Sequence, residues 1–204
     1  EQRDIDDNVT ILSGSIGDEN NIQDNSYTVV ILSIGTATLD GFTIQDGFSN
    51  QNAVNEIDDN NQDDINNNGG GVHNQGNLTL RNIVVKDNQA NADGGGIRND
   101  GTLTIENSVV RNNKTEDDGG GIRNQGTLTI INSTIADNES VGTSLTSGGG
   151  GLVNTGASAT IINSTFSGNT AKNGGAIRND TTLQLINSTL SRNIASESGG
   201  GLSN

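Results

Sequence analysis

Gly94-Gly95-Gly96-Ile97-Arg98-Asn99-Asp100-Gly101-Thr102-Leu103-Thr104-Ile105-Glu106-Asn107 is repeated 25 residues later as Gly119-Gly120-Gly121-Ile122-Arg123-Asn124-Gln125-Gly126-Thr127-Leu128-Thr129-Ile130-Ile131-Asn132. The two stretches differ at only two of fourteen positions. The phase extends both ways: glycine runs recur at Gly69, Gly94, Gly119, Gly149, Gly174 and Gly199, at intervals of 25, 25, 30, 25 and 25 residues. A fixed period of this size means stacked units, each burying its apolar side on its neighbours.

Each period holds three short apolar runs, such as Gly96-Ile97-Arg98, Leu103-Thr104-Ile105 and Ser108-Val109-Val110. No 3.6-residue periodicity runs through them, and Gly, Asn and Thr dominate, so the runs read as strands. Three strands and three turns per period of about 25 residues predict an all-β fold, a right-handed parallel β-helix of three-strand rungs. Residues 1–204 form one domain in this reading: 1–68 are irregular first coils with insertions, and 69–204 are regular repeats ending in an incomplete rung. The insertions are placed at Ser15 to Tyr27, Phe48 to Asn68 and Val141 to Ser147.

Alternation within strands assigns the interior. Val72, Ile97, Ile122, Leu152, Ile177 and Leu202 should stack, with Ile31 joining them upstream. Further ladders are Leu78, Leu103, Leu128 and Leu183; Leu80, Ile105, Ile130 and Leu185; and Val85, Val110, Ile135, Phe166 and Leu190. Thr79, Thr104 and Thr129 should face outward in a row that Ser158 and Gln184 interrupt. Such outward threonines suggest an ice-binding plane, which the interruption weakens.

Asparagine marks the corners. Asn74, Asn99, Asn124, Asn154, Asn179 and Asn204 share the first; Asn82, Asn107, Asn132, Asn163 and Asn187 the second; Asn88, Asn113, Asn138, Asn169 and Asn193 the third. Asn tolerates the left-handed backbone region and can bond its equivalent one rung away, so these are structural residues. Gly41 and Gly47 take corner positions in the upstream coil.

Composition limits the chemistry. The chain has 204 residues, a formal charge of −15, one Tyr, three Phe and no Trp, Met, Cys or Pro. Thin coils filled by small β-branched residues suit this poverty of large side chains. Strong acidity argues against nucleic acid and anionic membranes as partners and suits cations or basic surfaces. No apolar run approaches the ~20 residues that span a bilayer. The lack of Cys fits a secreted bacterial protein. No signal peptide is visible, and a start at Glu1 without Met suggests a processed product or an excised piece.

His73 is the only histidine, which leaves no His-based metal cluster or serine triad. It occupies the position held by Arg98, Arg123 and Arg178 in other coils and is expected to point outward. Asp100 and Asp180 follow two residues after Arg98 and Arg178. This ladder has two readings: a uronate-binding stripe, lyase-like with Ca²⁺, or a solvated row of compensating charges. Glu56, Asp58, Asp59, Asp63 and Asp64 form the densest acidic stretch, with hard oxygen ligands suited to Ca²⁺. Their spacing matches no EF-hand loop.

Gly174-Gly175-Ala176-Ile177 and Phe166-Ser167-Gly168-Asn169 resemble the G-G-A-I and F-x-x-N motifs of polymorphic outer membrane protein repeats. Thr10-Ile11-Leu12-Ser13-Gly14 and Leu39-Asp40-Gly41-Phe42-Thr43-Ile44 are similar to the first coils of secreted bacterial β-helices of the pectin-lyase-like superfamily. The resemblance implies surface adhesins, passenger domains or polysaccharide lyases; no lyase motif matches. The leading expectation is a non-enzymatic, secreted or cell-surface structural protein: an adhesin stalk or extracellular matrix fibre subunit. Its partners would be glycans, cell surfaces or further copies of itself. Asn204 and Glu1 cut the lattice at complementary places, which motivates head-to-tail stacking. The alternative is a polysaccharide lyase or glycan-binding β-helix using the arginines and Ca²⁺.

Overall fold

The structure, a computed structural model, describes residues 9–18, 21–49, 68–144 and 147–204. Among them the chain is all-β, with one 3₁₀ turn at Ile22–Asp24 and no α-helix. It is a parallel β-helix. Every strand pairs with the equivalent strand of a neighbouring coil, 25 residues away where the repeat is regular, and every pairing is parallel.

A rung has four strands, not three. In the rung that begins at Gly94 they are Ile97–Asn99, Thr102–Glu106, Val109–Arg111 and Lys114–Thr115. They build sheets of seven, six, seven and six strands respectively. The fourth strand was illegible because it is two polar residues long. It still pairs in register, Lys114 with Glu139 and Gln89, and Thr115 with Ser140 and Ala90.

The fourth strand also explains the glycine runs. It folds back against them, so a Cβ on Gly95 would lie 2.3 Å from the Lys114 carbonyl oxygen. Gly94 adds a left-handed turn at φ +66°, a conformation in which glycine is unstrained. The coil is thus pinched at the start of each rung, which leaves a narrow interior for Ile, Leu and Val.

That interior is a set of like-on-like ladders. Ile97 pairs with Val72 and Ile122, Leu103 with Leu78 and Leu128, and Val110 with Val85 and Ile135. All of these are buried in one core cluster. Upstream, Val30 rather than Ile31 joins the Val72 ladder, and Ile31 pairs with His73 at half exposure. The reason is the period-2 geometry of a strand: a shift of one residue moves a side chain to the other face.

The asparagines divide into two jobs. At the first corner Asn74 donates to Asn99 at 2.7 Å, Asn99 to Asn124 at 2.7 Å, and so on to Asn204. At the third corner Asn88, Asn113, Asn138, Asn169 and Asn193 form a second ladder at 2.9–3.0 Å. Both ladders also bond to backbone carbonyls, so buried amides are satisfied on both sides. The second-corner residues behave differently: Asn82, Asn107, Asn132, Asn163 and Asn187 sit at φ 48–51°, the left-handed region. At the third corner the left-handed residue is the one before the ladder Asn, as at Asp87, Asn112 and Asp137. Gly41 is left-handed as expected, but Gly47 is not; Asp46 takes that role.

Candidate functional site

The site grows from the first sheet. Arg98 pairs with His73 below and Arg123 above, and Val153 separates Arg123 from Arg178. Stacking three guanidiniums along one row, with one gap, would repel unless acids intervene. The acids come from the turn before each glycine run and from the first corner.

Asp93 and Asp118 hold equivalent places, each just before a glycine run. Arg123 Nη1 donates to Asp93 Oδ1 at 2.6 Å and to Asp118 Oδ2 at 3.0 Å. Arg98 Nη1 reaches Asp93 at 3.4 Å, and Arg178 Nη1 reaches Asp118 at 3.4 Å across the Val153 rung. Arg98 Nε donates to both oxygens of Asp100, whose Oδ2 lies 2.8 Å from His73 Nε2. Arg98 Nη2 donates to Gln125 Oε1, and Arg178 pairs with Asp180.

The row is sealed rather than solvated, which corrects the expectation of an exposed ladder. The Arg98 side chain is 6 % exposed, Arg123 and Arg178 are each 15 %, and His73 is 2 %. Asp118 also ties down the expanded turn, for its Oδ1 accepts the Gly148 N–H, and Asp117 accepts from the Ser147 hydroxyl. His73 Nδ1 and Arg123 Nε are buried without a partner.

Burial raises the Asp93 pKa to about 6; the charges of Asp118 and Asp117 add to the rise, while Arg123 and Arg98 oppose it. Asp118 is raised as well, by burial first and then by Asp117, against Arg123 and Arg178. Asp100 goes the other way: burial works against it, but the His73 hydrogen bond and Arg98 hold its carboxyl below the usual range. Each raised acid meets two guanidiniums, Arg123 closely and Arg98 or Arg178 at 3.4 Å, and burial outweighs their attraction.

The predicted stripe of Arg98, Arg123, Arg178, Asp100 and Asp180 is therefore brought together, as a largely internal network with Asp180 at its exposed edge. Asp93, Asp118 and Gln125 complete it. The signal for the first two was their shared phase before Gly94 and Gly119. The proposed calcium ligands Glu56, Asp58, Asp59, Asp63 and Asp64 lie outside the described residues. Among the described residues no group of three or more His, Asp or Glu side chains is placed to hold a metal ion. No helix among them is long and apolar enough to cross a membrane.

The third corner and glycine turn of a late rung carry the likeness to known proteins. The curated proteins and the solved structures give no match. Residues 163–180, which include Phe166–Asn169 and Gly174–Ile177, match the Chlamydia polymorphic membrane protein (Chlamydia_PMP) repeat, a repeat of surface membrane proteins.

Proposed function

We propose that this chain is a rigid, non-enzymatic β-helical segment of a bacterial surface protein, a stalk or fibre element that displays repeated side chains to neighbouring cells or glycans. The observation that carries this reading is the commitment of the charged row. Each of Arg98, Arg123 and Arg178 is engaged by at least one aspartate of the fold itself. A polyuronate site needs guanidiniums open to a sugar carboxylate; here they fasten one rung to the next. The polymorphic membrane protein repeat supports the surface assignment. Rows of identical side chains at one-rung intervals favour many weak contacts acting together.

Antibodies raised against the purified chain test the assignment. Intact cells of the source organism should be labelled as strongly as lysed cells; labelling only after lysis contradicts it. Incubation with polyuronates should yield no ultraviolet-absorbing unsaturated product. Product that disappears in Arg123→Ala would favour the lyase reading instead.

A further inference from the structure

Outward residues of the second sheet form columns that the sequence alone put out of phase. Thr38, Thr79, Thr104, Thr129 and Thr160 stand in one column. Thr36, Asn77, Thr102, Thr127 and Ser158 stand in the next. The expected interruption at Ser158 is absent, because the turn before Ser158–Ile162 carries one extra residue: Asn124 to Thr127 becomes Asn154 to Ser158. The one at Gln184 is present, next to Thr160 on the sixth strand, where the column ends. Pairing across these five strands is one to one. Neighbours within a column are about 4.8 Å apart, and the columns, two residues apart along a strand, about 6.7 Å. The face is a nearly rectangular net of hydroxyl and methyl groups, broken at Asn77 by an amide, on a rigid sheet.

Two further observations bear on its ligand. Among the described residues, no hydroxyl of the eight threonines is engaged in a hydrogen bond. By contrast Ser108, Ser133 and Ser164, at the adjacent corner, each accept a backbone N–H and donate to a carbonyl. The net is also uncharged on a chain of −15. The nearest charges, Asp40, Arg81 and Glu106, pair among themselves in the third column, which continues as Ile131 and Ile162. An ionic ligand finds no counter-charge here. With no Trp and one Tyr in the chain, a sugar ring finds little aromatic surface to stack on.

We infer that the threonine face of the second sheet binds ice. Each free hydroxyl holds a water by the same hydrogen bonds that ordered surface waters make elsewhere. The methyl groups between them order the waters above. A layer held at these two spacings approximates the repeats of a prism face of hexagonal ice. Because the sheet is preorganised, little ordering cost remains when that layer joins the crystal. The proposal is independent of the surface assignment, since it concerns this face alone.

The test grows ice slowly from a dilute solution of the whole chain and compares the protein in the ice with that left in the liquid. Enrichment in the ice, with faceted crystals, is expected. Thr104→Tyr should lower incorporation several-fold, whereas Thr134→Tyr, outward on the third sheet of the next coil, should leave it unchanged. Circular dichroism checks that both variants remain folded, and Thr129→Tyr replaces the first variant should that one unfold. Exclusion of the unaltered chain from ice overturns the inference. So does an equal loss in both variants, or retention on crystalline chitin or cellulose without incorporation into ice.

Discussion

The outward row of the first sheet and the outward columns of the second obey one rule of register and end in opposite states. On both, stacking sets like upon like at one-rung intervals. Arginine above arginine needs acids between, and Asp93, Asp118 and Asp100 supply them from neighbouring turns until the row is nearly dry. Threonine above threonine needs nothing, and its columns remain open to solvent. Period alone therefore does not say whether a repeated surface residue holds the fold together or is available to a partner; the charge of the repeated side chain decides.

The largest expected difference between the two faces is in stability. Arg123→Ala removes the shorter ion pair of both Asp93 and Asp118, leaving each a 3.4 Å contact with Arg98 or Arg178, and should cost about 3 kcal/mol in urea unfolding at neutral pH. The loss should be smaller at pH 5, where Asp93 can keep its proton. A loss at neutral pH no larger than that of an ordinary surface substitution would show that the row is solvated after all.

Next comes the pH dependence of the unaltered chain. The folded pKa of Asp93, about 6, lies above the ordinary aspartate value of 3.8, so the folded state binds more protons between those values. The resulting stabilisation is complete below pH 3.8 and disappears as pH rises through 6. A rise of this size is worth roughly 3 kcal/mol. Asp118 acts in the same direction, while Asp100 removes stability only on acidification below its ordinary range. The urea midpoint should therefore fall between about pH 4 and pH 7, and Asp93→Asn should flatten the curve. A midpoint that rises steadily over that interval would contradict the burial of this carboxyl.

The smallest effect belongs to the open face. Thr104→Val keeps the β-branched shape, leaves no buried polar group unpaired, and should change stability by no more than about 0.5 kcal/mol. A larger loss would mean that the hydroxyl net is part of the fold.

Much of this architecture was legible because glycine and asparagine recur where the backbone demands them. The core ladders followed from strand alternation, except that Leu185 and Leu202, also assigned to the interior, are exposed on the last rung. What escaped notice had short or mixed signals. Lys114–Thr115 is too brief and polar to read as a strand. One added residue in the turn at Thr155-Gly156-Ala157 disguised Thr160 and Ala159 as members of their columns. Arg98 and Asp93 look like surface residues in any composition, and only the turns folding over them bury Arg98 and cover most of Asp93.

The stacking itself can be tested in a chain that has no cysteine of its own. Thr104 and Thr129 are paired on adjacent strands, and strand spacing puts their Cα atoms about 4.8 Å apart, within disulfide range. A Thr104→Cys, Thr129→Cys variant should close an intramolecular disulfide under mild oxidation. Thr104→Cys with Thr134→Cys, which places the second thiol on another sheet, should remain reduced. Failure of the first pair, or closure of the second in preference, would contradict a coil in which each rung lies in register on the last.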